Sequence, residues 1–224
     1  MTIARRRTLI KRQRSSVGLT LAAAVSFLAG MTDAIGLLSV GDFVSFMSGN
    51  TTYASVAIAD GDFSRAALLG AGLAAFVFGN AGGVIVSARS RPYAVFLAVC
   101  VLLSITAMPF QPPEARFLLL SLSMGIVNAS VEQIEGLPIG LTYVTGALSR
   151  FGRGLGRWLM GEKSTRWVIH IIPWSGMLAG AVAGAILQRQ TDALALWAPA
   201  AVALVLGFAA SRVPRRWERR FADR

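Results

Sequence analysis

The chain has 224 residues, of which 54% are apolar and only 15% charged, with 22 Lys and Arg against 11 acids and a net charge of +11. Soluble domains carry about 25% charged residues, so this composition excludes a disordered tail, a collagen-like chain and an ordinary soluble domain, and points to a membrane protein. A basic protein of this size could bind nucleic acid, but the cations sit in three clusters that flank long apolar runs, which argues against it.

The first cluster is Arg5, Arg6, Arg7, Lys11, Arg12 and Arg14. It forms a basic tail over residues 1–16. An apolar run follows over 17–40, too long for a cleaved leader, and reads as a retained first span. Gly41 and Asp42 mark a turn. A shorter, more polar segment covers 43–59. Asp60-Gly61-Asp62 is the next turn, with Asp62 or Ser64 as the helix cap of a span over 65–88. Further spans are expected over 92–109 and 115–134. A second short segment covers 140–159, and the last spans cover 167–188 and 193–211. The expected fold is an all-α integral membrane protein of about eight helical segments, six strong and two short or amphipathic.

The second basic cluster is Arg150, Arg153, Arg157, Lys163 and Arg166, and the third is Arg212, Arg215, Arg216, Arg219, Arg220 and Arg224. Cations flank spans on the cytoplasmic side, so both termini are expected in the cytoplasm of a bacterial inner membrane. Eight spans, or six with the short segments re-entrant, both leave nineteen cations inside and three outside. The charge count does not separate the two arrangements.

The chain also resembles itself. Gly30-Met31-Thr32-Asp33-Ala34 matches Gly125-Ile126-Val127-Asn128-Ala129 at an offset of 95. Phe46–Asn50 matches Tyr143–Ala147, and Gly79-x-x-x-Gly83 matches Gly176-x-x-x-Gly180, both at an offset of 97. Two homologous halves are expected, over 17–110 and 111–211, before a basic tail over 212–224. Internal repeats are common in transporters, where the number of spans per half sets a parallel or an inverted symmetry.

The same residues carry a resemblance. Gly30-x-x-Asp33-Ala34, the segment Phe43–Thr52, Asn128-Ala129 and Thr142-Tyr143-Val144-Thr145-Gly146 together resemble the YoaK-like family of prokaryotic membrane proteins, also called DUF1275 or UPF0700. The likeness extends over roughly 20–210. Ser48 stands where that family often has Thr. The resemblance implies a polytopic inner-membrane protein and supplies no activity.

Several residues are candidates for chemistry. Asp33 falls near mid-depth of the first span, where a carboxylate costs about 2.5–3.5 kcal/mol on insertion scales. Such a group faces a polar interior and marks an ion path, or is held by a partner such as Asn128, Asn50 or a backbone carbonyl. Ser48, Gly49, Asn50, Thr51 and Thr52, with Thr142, Thr145 and Gly146 in the second half, could line a solute pathway, or simply cap and pack helices. Gly79, Gly83, Gly176 and Gly180 read as close helix packing, and Asn80 as one interhelical hydrogen bond. Glu132 and Glu135 share a helix face near a rim.

His170, alone, and Cys100, alone, make no metal site. There is no phosphate loop, nucleophile elbow or metal triad, so no enzyme, cofactor or metal is expected. The expected function is secondary transport or channel-like passage of an unidentified small solute, with Asp33 as the coupling group for a proton or sodium ion. A non-transporting scaffold or accessory subunit, and an intramembrane lipid-modifying enzyme, stand as alternatives. The expected partners are anionic lipid headgroups at the basic tails and the solute; a homo-oligomer is left open.

Overall fold

The computed structural model describes residues 3–135 and 144–212, and all regular structure in these is helical. Eight α-helices follow in order: α1 (Ile3–Val40), α2 (Met47–Ala59), α3 (Phe63–Arg89), α4 (Pro92–Thr106), α5 (Pro113–Glu135), α6 (Val144–Leu159), α7 (Ile171–Thr191) and α8 (Trp197–Ser211). Short 3-10 turns over Arg166–His170 and Asp192–Leu196 lead into α7 and α8. Among the described residues, four stretches are long and apolar enough to cross a bilayer: Gly18–Val40, Phe63–Arg89, Arg166–Thr191 and Leu194–Ser211. The stretch expected over 92–109 is shorter, because α4 stops at Thr106. Its 15 residues rise only ~22 Å.

The turns follow from local chemistry. Gly41 ends α1 with φ +84°, its N–H bonded to the Leu37 carbonyl at 3.1 Å. That left-handed backbone is open to glycine without strain. Gly61 plays the same part at φ +77° before α3. Asp62 caps α3, accepting the Arg65 N–H at 2.9 Å.

Glycines set the tightest pairings, which join the first half of the chain to the second. In α7, Gly176, Gly180 and Gly184 lie against the backbone of Ala23, Phe27 and Met31 in α1, and Gly30 lies against Met177. In α3, Gly79 and Gly83 lie against Leu122 and Ile126 in α5, and Gly125 lies against Phe76. A methyl group at any of these seven glycines would overlap a facing carbonyl. Numbering rises together along both pairs, so α1 runs parallel to α7 and α3 parallel to α5. The third close pair, α4 with α8, is antiparallel: Gly207, late in α8, meets Phe96 and Tyr93, early in α4.

A core of Leu28, Ile35, Leu69, Phe96, Leu103, Phe117 and Met124 fills the space between α1, α3, α4 and α5. Outward faces are apolar as well. Leu178, Val182 and Ile186 form an exposed stripe on α7, as do Leu204, Val205 and Phe208 on α8 and Val77, Phe78, Val84 and Ile85 on α3. Faces of this extent suit lipid, not water.

Segment 41–46 does not carry the chain onward from α1. It folds back along it: the Val44 side chain packs on Gly36, and Val44 and Ser45 reach Asp33. Helix α2 then turns back again. Its Asn50 donates to the Phe43 carbonyl at 2.6 Å, and Tyr53 stacks on Phe43. The start of α3 therefore lies at the same end of the bundle as the end of α1, where Arg65 pairs with Asp42.

Candidate functional site

Asp33 is buried in α1 and engaged by the folded-back segment. One carboxylate oxygen accepts the Val44 and Ser45 N–H groups at 2.7 and 2.9 Å, and the other accepts the Ser45 hydroxyl at 2.8 Å. The two backbone N–H groups can only donate, while the Ser45 hydroxyl can donate or accept. Asn128 and Asn50, expected as partners, are not what holds it. Asn128 donates to Asn80 at 2.9 Å across α5 and α3, and Asn80 donates to the Phe76 carbonyl at 3.0 Å. The Oδ1 atoms of Asn50 and Asn128 are buried with no hydrogen-bond partner among the described residues.

The polar run after Asp33 divides by face. Asn50 is fully buried, while Ser48, Thr51 and Thr52 are exposed. The two threonine hydroxyls bond back to carbonyls four residues earlier, Met47 at 2.8 Å and Ser48 at 3.1 Å. Gly49 sits under the rings of Phe43 and Phe46. The structure thus brings Asp33 to residues 44 and 45, not to Ser48–Thr52. A helix starting at Met47 directs its early hydroxyls outward, and the irregular, bent residues before it supply the free N–H groups. In the second half Thr145 is exposed and Gly146 half-buried on α6. Thr142 lies outside the described residues, as do the side chains of Glu132 and Glu135.

Asp42 was legible in the sequence only as a turn residue. In the structure it is buried and paired with Arg65, with one of its two hydrogen bonds at 2.9 Å. Two parallel N–H···O contacts between a guanidinium and a carboxylate fix geometry as well as charge. Asp33 of α1 and Arg65 of α3 hold segment 41–46 from two sides, at residues 44–45 and at Asp42. An acid and an arginine 23 residues apart leave no periodic signal; only the turn between them hints at proximity.

The remaining candidates are placed as follows. Cys100 is half-buried against the core. Arg150, Arg153 and Arg157 lie on α6, and His170 ends the 3-10 turn that precedes α7. Among the described residues, no group of three His, Cys, Asp or Glu side chains is close enough to hold a metal.

Residues 21–209 match the family described as protein of unknown function (DUF1275). The chain is 63% identical over 221 residues to a UPF0700 transmembrane protein of Rhizobium meliloti (strain 1021), covering 99% of this chain and 98% of that protein. No solved structure matches the chain. With its glycine seams, lipid-suited faces and clamped segment, the chain belongs to the DUF1275 family and is a multi-pass membrane protein.

Proposed function

We propose that the chain is a secondary transporter or channel-like passage for a small solute, built from two halves of inverted topology in a bacterial inner membrane. The observation that carries this reading is the break after α1: irregular backbone folds back to a buried carboxylate well inside the span. Non-helical backbone at such depth is tolerated where protein or a water-filled cavity covers it. Broken helices of this kind build the midplane sites of transporters.

The pairing of the helices supports the duplication. Exchanging the halves turns the α1–α7 seam into the α5–α3 seam. With α1 shifted by 95 onto α5, Gly180 on Phe27 corresponds to Gly79 on Leu122, and Gly184 on Met31 to Gly83 on Ile126. Gly30 on Met177 likewise corresponds to Gly125 on Phe76. All three matches displace α3 onto α7 by 101 positions, one helical turn beyond the offset of 97 read from the sequence. Glycines recurring at 176, 180 and 184 make a one-turn slip invisible to sequence matching. Antiparallel α4 and α8, and α3 starting where α1 ends, favour inverted halves with α2 and α6 re-entrant and six crossings. Both termini and the second basic cluster then lie in the cytoplasm.

A scaffold without transport is favoured by one observation: Asp33 is buried and already held by the Val44 and Ser45 N–H groups and the Ser45 hydroxyl. Proteoliposomes holding the purified protein, assayed with a panel of small solutes with and without a pH gradient, decide between these. Uptake of at least one solute above empty vesicles, reduced in its pH-driven part by Asp33→Asn, upholds transport through this group. No uptake across the panel in either direction of gradient favours the scaffold.

A further inference from the structure

We propose that the corner between α6 and the 3-10 turn before α7 is a binding site for the phosphate group of an anionic lipid. The site stands independently of whether the protein transports anything. A cleft of about 300 Å³ opens there, lined by Arg157, Glu162, Ser164, Arg166, Trp167 and His170. Its two arginines come from different elements and face one space. Guanidinium groups bind phosphate oxygens in paired hydrogen bonds and keep their charge in a partly desolvated setting. Arg150 adds a third positive charge that acts on His170 from α6.

The other wall is aromatic. Trp167 packs edge-on against Phe151, with ring centroids 5.0 Å apart, and Trp158 lies 6.5 Å away on the same face of α6. Gly154 lies directly against the Trp167 side chain and brings α6 close to it. The indole N–H of Trp167 is buried with no acceptor among the described residues, which favours a ligand rich in acceptor oxygens. Trp158, Leu159 and Met160 next to it are exposed, so the cleft lies beside a surface suited to acyl chains. Cations over an aromatic and apolar wall match a phospholipid at the headgroup level of the bilayer. A free phosphate would use the arginines and leave the apolar rim without a role.

Glu162 sets the sign of the test. Its carboxylate lies 3.7 Å from Arg157, and both side chains are more than half exposed. It is a built-in competitor for the anion, and its removal strengthens binding, whereas removal of either arginine weakens it. General attraction between a basic protein and anionic lipid predicts something else: a small, equal loss for every cation removed.

Full-length protein in neutral detergent, titrated with phosphatidylglycerol, with phosphatidylcholine of the same chains, and with sodium phosphate, reads this out as bound lipid by native mass spectrometry. Phosphatidylglycerol is expected to bind more tightly than phosphatidylcholine. Arg166→Gln or Arg157→Gln weakens it by about tenfold, the scale of one lost charged hydrogen bond. Glu162→Gln, at an exposed position that leaves folding intact, tightens it. Lys163→Gln, outside the cleft lining, leaves it unchanged. Equal losses for Lys163→Gln and the two arginine variants, or no gain for Glu162→Gln, overturn the proposal. Sodium phosphate binding with the same arginine dependence, while the two lipids bind alike, overturns the lipid as the source of the phosphate.

Discussion

Arg65, in the first turn of α3, grips Asp42, two residues past the end of α1, with two nitrogens of one guanidinium. The pair ties the end of one crossing to the start of the next across the whole of α2. The 13-residue helix between them rises only ~20 Å, less than the ~30 Å hydrocarbon core. The pair thus bears on the six-crossing topology proposed above as well as on a contact.

That topology is open to labelling. In a Cys100→Ser background, Asp60→Cys is expected to react with an impermeant maleimide on intact cells. Ser90→Cys is expected to react only after the membrane is opened. Both positions are exposed in the structure. The reverse pattern would place α2 across the bilayer and restore eight crossings.

Removing the arginine leaves a buried carboxylate without its countercharge. Arg65→Ala is expected to lower stability by roughly 2 kcal/mol, less than the 3–5 kcal/mol of a fully buried pair because the arginine is partly exposed. Asp42→Asn combined with Arg65→Ala should recover part of that loss, since an amide tolerates burial without a cation better. A double-mutant cycle from unfolding in detergent measures the coupling. Additive losses would show that the two side chains act separately.

Asp33 makes a different distinction. Asparagine keeps an oxygen for the Val44 and Ser45 N–H groups, and its amide can donate to the Ser45 hydroxyl. Asp33→Asn is therefore expected to retain folding and membrane insertion. Asp33→Ala leaves two buried backbone N–H groups unpaired, at about 1–3 kcal/mol each, and should lower the midpoint of thermal unfolding clearly. Equal midpoints for the alanine variant and the parent protein would show that segment 41–46 does not depend on this carboxylate.

The glycine seams yield a paired comparison. Gly180→Ala and Gly79→Ala each push a methyl into a facing carbonyl and are expected to cost about 1–3 kcal/mol. Gly70→Ala and Gly82→Ala, where an added methyl meets nothing within 4 Å, are expected to stay within about 0.5 kcal/mol of the parent. Thermal unfolding of the four purified variants checks the order.

Much of the fold was legible residue by residue. Apolar runs between Gly-Asp and Pro-rich turns located the helices, since nothing else of that length survives in hydrocarbon. Gly79, Gly83, Gly176 and Gly180 stood out because a side-chain-free position every fourth residue serves little but close approach. The direction of α2 was not legible, since both charge counts come out alike and the acid–arginine clamp joins residues far apart in sequence. The site was half legible: a buried acid at Asp33 was evident from its cost. Its partners were not, because backbone N–H groups carry no residue-type signature. Asp42 passed as an ordinary turn residue for the same reason that Asp60 and Asp62 are ordinary turn residues.

The cross-half pairing of α1 with α7 has a consequence for biosynthesis. The face of α1 that receives Gly176, Gly180 and Gly184 enters the membrane roughly 150 residues before those glycines are made, a wait of about 8–30 s at ordinary translation rates. Throughout that interval the backbone of Ala23, Phe27 and Met31 meets lipid or an insertion factor in place of its final neighbour. Helix α3 waits only some 45 residues for Leu122 and Ile126 of α5, about 2–9 s on the same scale. The inner seam therefore closes first and the outer one last, so a ribosome that stalls before α7 leaves the oldest helix of the chain without its mate.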